Sequence, residues 1–170
     1  PAMPGQVGAE LRDSPETRAA WPHAFRLQLT AQATPGRLTL ALTVENTGDH
    51  CFEFTAALHT YLAVDDLHGC ELHGLAGRPY LDAAGGGRRD AVHDGAPLRF
   101  DGEVDRVYAG ADELRLSAAS GDTMIGAQGF SDTVIWNPGA TLAAGLADLG
   151  ADQTARFVCI EAAVVGRPVS

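Results

Sequence analysis

His59 stands in the middle of an alternating run, with Tyr61 two residues further on and therefore on the same side of an extended chain. An imidazole, with an unperturbed pKa of about 6.5, suits general acid or base work on a concave sheet face. The same spacing also fits a hydrogen-bonded histidine on a half-buried sheet. Glu161 lies inside Phe157-Val158-Cys159-Ile160-Glu161-Ala162-Ala163-Val164-Val165, a segment with no other charge. Strand interiors disfavour glutamate, and burying one unpaired is costly. Glu161 therefore either faces solvent at the end of an edge strand or lines a pocket. In a pocket, loss of water would lift its pKa towards that of a working general base.

Three further positions invite a ligand. Asp105 and Arg106 form either a surface ion pair or a place where the Asp105 carboxylate holds a hydroxylated ligand. Trp136-Asn137-Pro138 sets a broad ring and an amide beside a turn. Trp136 suits a core or a sugar-stacking platform, and Asn137 can orient a hydroxyl. Cys70 and His73, in His68-Gly69-Cys70-Glu71-Leu72-His73, fall on opposite strand faces without a second cluster, so no metal site is expected there. Gly85-Gly86-Gly87 runs into Arg88-Arg89 and not into a helix, which excludes a phosphate-cradling P-loop; no dinucleotide fingerprint or nucleophile elbow is present. A histidine–carboxylate pair has more support than a nucleophile.

The elements that must position these groups are mostly strands. Leu27 and Leu29 alternate with polar neighbours, as do Leu38, Leu40, Leu42 and Val44, and Thr34-Pro35-Gly36 joins the two runs as a hairpin. Phe52–Val64 reads as the longest strand. Further strands are expected at 69–73, 104–108, 113–116, 133–136 and 155–164, with a short helical turn in 140–149. Residues 1–8 read as a frayed end and 9–170 as one domain. The fold class is all-β, an antiparallel sandwich.

In 170 residues, 45% hydrophobic and 20% charged, the balance is that of a globular domain able to bury a core without disulfides. The net charge of −10 repels phosphate backbones, so nucleic acid is not an expected partner. Apolar runs fall short of the roughly 20 residues of a membrane span, so no membrane is expected. Cys51, Cys70 and Cys159 are unpatterned, consistent with reduced thiols; with no leader pattern, the expectation is a cytoplasmic protein.

Six ordered blocks carry a resemblance: Trp21-Pro22-His23; Phe54–Tyr61; Gly74–Gly77 with Tyr80-Leu81-Asp82; Glu103–Tyr108; Asp132–Pro138; and Phe157–Ala162. Together they resemble the glucose-6-phosphate 1-epimerases (hexose-6-phosphate mutarotases) of the aldose 1-epimerase family. The resemblance implies a galactose mutarotase-like β-sandwich and interconversion of the α and β anomers of a hexose 6-phosphate. It implies that His59 is the general acid on the ring oxygen and Glu161 the general base on the anomeric hydroxyl. It makes Asp105 a substrate contact, places His23 at the site, and requires neither metal nor nucleotide.

The chain departs from the family pattern in two ways. Family members are longer at the N-terminus, where the phosphate-holding arginines are expected; Arg78, Arg88 and Arg89 are the candidates remaining here. Gly139 stands where an aromatic residue commonly follows Asn137-Pro138. A sandwich lacking strands exposes edges and apolar faces, so a homodimer or a smaller rearranged sandwich is expected. The alternatives are an aldose 1-epimerase for unphosphorylated sugars and a non-catalytic carbohydrate-binding sandwich.

Overall fold

The computed structural model describes residues 5–110, 113–150 and 152–170. The chain divides into two compact units, with the boundary at Phe54 and Thr55.

The first unit contains β1 (Gln6–Arg12), α1 (Pro15–Ala20), β2 (Phe25–Thr34) and β3 (Arg37–Asn46) in one antiparallel sheet of order β1-β2-β3. Gln6–Gly8 thus pair with Ala31 and its neighbours; only residues 1–4 of the expected frayed end lie outside the described residues. The expected hairpin is β2–β3, closed at Thr34 and Arg37. Ser14 caps α1: its Oγ accepts from the Thr17 N–H, and the Thr17 Oγ1 accepts from the Ser14 N–H. Alternation sorts this sheet strictly. Val7, Ala9, Leu11, Leu27, Leu29, Leu38, Leu40, Leu42 and Val44 take one face, and Glu10, Arg12, Arg26, Gln28, Thr43 and Glu45 the other. The apolar face is open, with Val7 70% and Leu38 62% exposed.

The second unit holds β4 (Phe54–Leu58), which begins at the boundary, then β5 (Tyr61–Ala63), β6 (Glu71–His73), β7 (Pro79–Asp82), β8 (Arg89–Val92), β9 (Val104–Ala109), β10 (Leu114–Ala118), β11 (Gly121–Ile125), β12 (Asp132–Asn137), α2 (Gly139–Ala143) and β13 (Phe157–Val169). Its larger sheet runs β4-β13-β12-β9-β7-β8, with β5 also on β13; the smaller runs β11-β10-β6. Leu72, Leu114 and Leu116 of the smaller sheet pack on Ile135, Val158, Ile160 and Tyr108 of the larger one. This is a sandwich core, in which each fully buried aliphatic side chain is worth about 1.5–3 kcal/mol.

The expected long strand at 52–64 is interrupted, and β13 is the longest strand in its place. The Thr60 N–H and hydroxyl both donate to the Leu58 carbonyl, at 2.7 and 3.1 Å, closing a tight turn at His59 between β4 and β5.

At the first residue of β12, Asp132 fastens the Val165–Gly166 stretch of β13. Its Oδ2 accepts from the Val165 and Gly166 N–H groups at 2.9 Å each and from the Ser131 hydroxyl at 2.8 Å. Burial pushes this carboxyl up, but the three donors outweigh it and hold the pKa below the ordinary aspartate value. Asp132→Asn is expected to lose about 1.5–3 kcal/mol in urea denaturation at neutral pH. Because the folded pKa lies below the unfolded one, the stabilisation is complete above about pH 4 and disappears as pH falls through the folded value.

Candidate functional site

Register decides which side chains meet. In the larger sheet Asp105 pairs with Trp136, Trp136 with Cys159, and Cys159 with Tyr61, so these four share one face in a single row. Glu161 lies two residues along β13 from Cys159, on the same face, beside Val134, which in turn pairs with Val107. The opposite face carries Ile135 and Ile160 into the core. The strand pattern that read as uniformly apolar therefore has two destinations: core on one side, the face that carries Glu161 and Cys159 on the other.

Glu161 is 4% exposed, which selects the pocket alternative over a solvent-facing edge. Burial pushes its carboxyl up; His59 offsets part of that shift, and Asp105 adds to it. His59 Nδ1 stands 3.2 Å from Glu161 Oε1, while the histidine side chain is 53% exposed. The Tyr61 ring stacks on the imidazole at 4.9 Å and 9°, and Trp136 meets it edge-on at 5.8 Å and 83°. Phe157 supports both aromatic rings, at 5.1 Å from Tyr61 and 6.1 Å from Trp136. A histidine–carboxylate pair thus sits among aromatic rings, one partner dry and the other reaching water. With Nδ1 turned to the carboxylate, Nε2 is the imidazole nitrogen left for another partner.

Asp105 lies on this face, and burial first, then Glu103 and Asp82, pushes its carboxyl up. Of the two alternatives for Asp105 and Arg106, the ion pair gives way to a division across the sheet. Arg106 projects to the other side, where its Nε donates to Asp82 at 3.1 Å and its guanidinium lies 4.9 Å above the Tyr80 ring.

Asn137, expected to contact a ligand, does not join the row that carries Trp136 and Asp105. It pairs with Val104 and projects away from the face that carries Trp136. Its Nδ2 donates to the Thr154 and Phe157 carbonyls at 2.9 Å each, and its Oδ1 accepts from the Gly139 N–H at 2.9 Å. Both Nδ2 hydrogens are spent on carbonyls of the segment leading into β13, and one Oδ1 lone pair on the start of α2. Gly139 has φ +59°, and a Cβ there would stand 2.6 Å from the Glu103 nitrogen, so the segment before β9 occupies the space of any larger residue. His23 belongs to the first unit, where its ring packs 4.9 Å from Trp21 and 5.1 Å from Phe52.

Sequence reading passed over Cys159 as a neighbour of Glu161. Its signal was the two-residue spacing along one strand, the same logic that joined His59 to Tyr61. Burial first, then the Glu161 charge, pushes the Cys159 thiol up to about 12. In the other cysteine–histidine segment, Cys70 Sγ donates to the Asp66 carbonyl, and His73 lies 3.5 Å from Glu71.

The family model described as aldose 1-epimerase matches residues 3–170. The chain belongs to the aldose 1-epimerase family. A protein of Cenchrus ciliaris carrying the provisional name glucose-6-phosphate 1-epimerase is 30% identical over 177 residues, covering all of this chain and 53% of that protein. A protein of Escherichia coli with the same provisional name is 33% identical, covering 91% of this chain and 51% of its own length. The chain therefore spans about half the length of the curated relatives it matches. The crystal structure of a provisionally assigned mutarotase of Salmonella typhimurium, YeaD, superposes with a TM-score of 0.85 at 26% identity, over 96% of this chain and 54% of that one. A galactose mutarotase related enzyme of Lactobacillus acidophilus shares the fold at 14% identity, with a TM-score of 0.75 over 96% of this chain and 57% of its own. The antiparallel β architecture of this family member is thus the galactose mutarotase-like one.

Because all three Asn137 hydrogen bonds are to backbone, Asn137→Ala is expected to lower stability by about 2–3 kcal/mol in chemical denaturation. Substitution of Asp105, on the other face, is expected to change stability less and ligand affinity more; equal affinity loss in both variants would return Asn137 to the binding residues.

Proposed function

We propose that this chain carries the acid–base pair of an enzyme that interconverts the α and β anomers of a hexose 6-phosphate. The observation that carries the reading is the 3.2 Å contact between half-exposed His59 and buried Glu161. In a cyclic hexose the anomeric hydroxyl and the ring oxygen share one carbon, so the base and the acid that open the ring must stand within a few ångströms of each other. This pair does.

Glu161 takes the proton of the anomeric hydroxyl as the C1–O1 bond becomes a carbonyl. His59 delivers a proton from Nε2 to the ring oxygen as the C1–O5 bond breaks. Rotation about C1–C2 presents the other face of the aldehyde. On closure His59 recovers its proton from the oxygen at C5, and Glu161 returns one to O1. The reaction consumes no co-reactant. Burial of Glu161 serves the first step, since a carboxylate held in a dry site is a stronger base than one in water. Tyr61 and Trp136 bracket the imidazole and offer apolar faces to the C–H side of a sugar ring. Asp105, in the same row, is placed to accept from a substrate hydroxyl.

Phosphorylation of the substrate is supported by the provisional names of the relatives at 30–33% identity. Magnetisation-exchange NMR on glucose 6-phosphate, with glucose beside it, tests both parts. His59→Gln and Glu161→Gln are each expected to slow exchange by about 10²-fold or more while leaving the fold intact. Equal rates on the two sugars would assign the chain to free aldoses. Sugar binding without exchange by the folded wild-type chain would make it a binding module.

A further inference from the structure

Cys159 is a metal-ligating group on the site floor that ring opening does not use. Its Sγ, a ring nitrogen of His59 and a carboxylate oxygen of Glu161 all lie within 4.8 Å of one another. We infer that these three side chains form a capture site for a thiophilic divalent cation, zinc above all, which occupies the acid–base pair and blocks it. The capture itself stands on the geometry of the three donors; only the blocking rests on the function proposed above.

The distances fit. Two ligands about 2.1 Å from a tetrahedral zinc stand about 3.4 Å apart, and a thiolate and a carboxylate oxygen about 3.6 Å apart. His59 Nδ1 and Glu161 Oε1 are already 3.2 Å apart. Cys159 and Glu161 occupy successive same-face positions of β13, and half-exposed His59 stands over them from its turn between β4 and β5. The donor set also fits. Sulfur, imidazole nitrogen and carboxylate oxygen together favour zinc over magnesium or calcium, which prefer all-oxygen shells. Three protein donors leave a fourth position towards solvent, on the side where His59 is exposed.

Charge supports the same conclusion. A thiolate, a carboxylate and a neutral imidazole around a divalent ion sum to zero, so the dry floor that penalises Glu161 alone does not penalise the complex. On binding, the S–H bond of Cys159 breaks and its proton passes to water while the S–Zn bond forms; a coordinating metal deprotonates a thiol that otherwise stays protonated. No electron transfer is involved.

Cobalt(II) titration of the folded 170-residue chain tests the site directly. The expected result is a sulfur-to-cobalt charge-transfer band with the intense visible bands of a four-coordinate ion, saturating at one equivalent and displaced by zinc. Cys51→Ser, which removes the exposed thiol, is expected to keep the band. Cys159→Ala is expected to abolish it, and His59→Gln or Glu161→Gln to weaken cobalt binding by at least about tenfold. Should Cys159→Ala fail to fold, the latter two variants decide the matter alone. A wild-type chain without the band, or a band that survives in Cys159→Ala or is unmoved in both other variants, overturns the inference. In parallel, one equivalent of zinc is expected to reduce anomer exchange at least about tenfold, reversed by a chelator. A chain that binds cobalt as described but shows no exchange in metal-free buffer would refute the proposed function and leave the metal site standing.

Discussion

The arrangement of the second unit turns on one carboxylate kept out of water. Glu161 occupies a strand whose neighbours are core residues, and isolated there it would cost several kcal/mol or take up a proton. The 3.2 Å contact with His59 relieves part of that cost without ending it, since Asp105 pushes in the opposite direction. Much of the surrounding geometry serves this contact. The turn at His59 breaks the ladder between β4 and β5 and sets the imidazole over β13, while Tyr61 and Trp136 hold the ring from its face and from its edge.

The site is two-sided in its demands on the larger sheet. One face must be closed by Leu72, Leu114 and Leu116, so that Ile135, Val158 and Ile160 stay dry. The other must stay open enough to admit a ligand. Strict two-residue alternation along β9, β12 and β13 satisfies both, because each step along a strand changes faces. Groups that look adjacent in sequence then do unrelated work. Asp105 sits on the floor while Arg106 steadies Tyr80 and Asp82; Trp136 supports His59 while Asn137 ties down two loop carbonyls.

Much of this was legible in the residues themselves. Alternation located the β2–β3 hairpin and the strands that became β6, β9, β10, β12 and β13, and the anomalous glutamate in an apolar run marked Glu161. What escaped has identifiable causes. β7, β8 and β11 read Pro-Tyr-Leu-Asp, Arg-Asp-Ala-Val and Gly-Asp-Thr-Met-Ile, which do not alternate between apolar and polar residues. β1 follows a proline- and glycine-bearing start that reads as unstructured until its partner β2 is known. The break at His59–Thr60 hides within a run whose period never changes, since a tight turn preserves the inside–outside order of its neighbours.

Residue types and spacing by themselves determined the all-β class, the candidate pair and, through the six blocks, the family resemblance. Those are local properties, set by side-chain chemistry and by the two-residue period of an extended chain. Whether His59 reaches Glu161 is not local: 102 positions separate them, and only the pairing of β5 with β13, with the turn at His59, brings them together. The same holds for the direction of Asn137, the arrival of Cys159 beside both, and the exclusion of any side chain at Gly139. Each depends on which strand lies alongside and on which face it presents, and that choice belongs to the packed sheet as a whole.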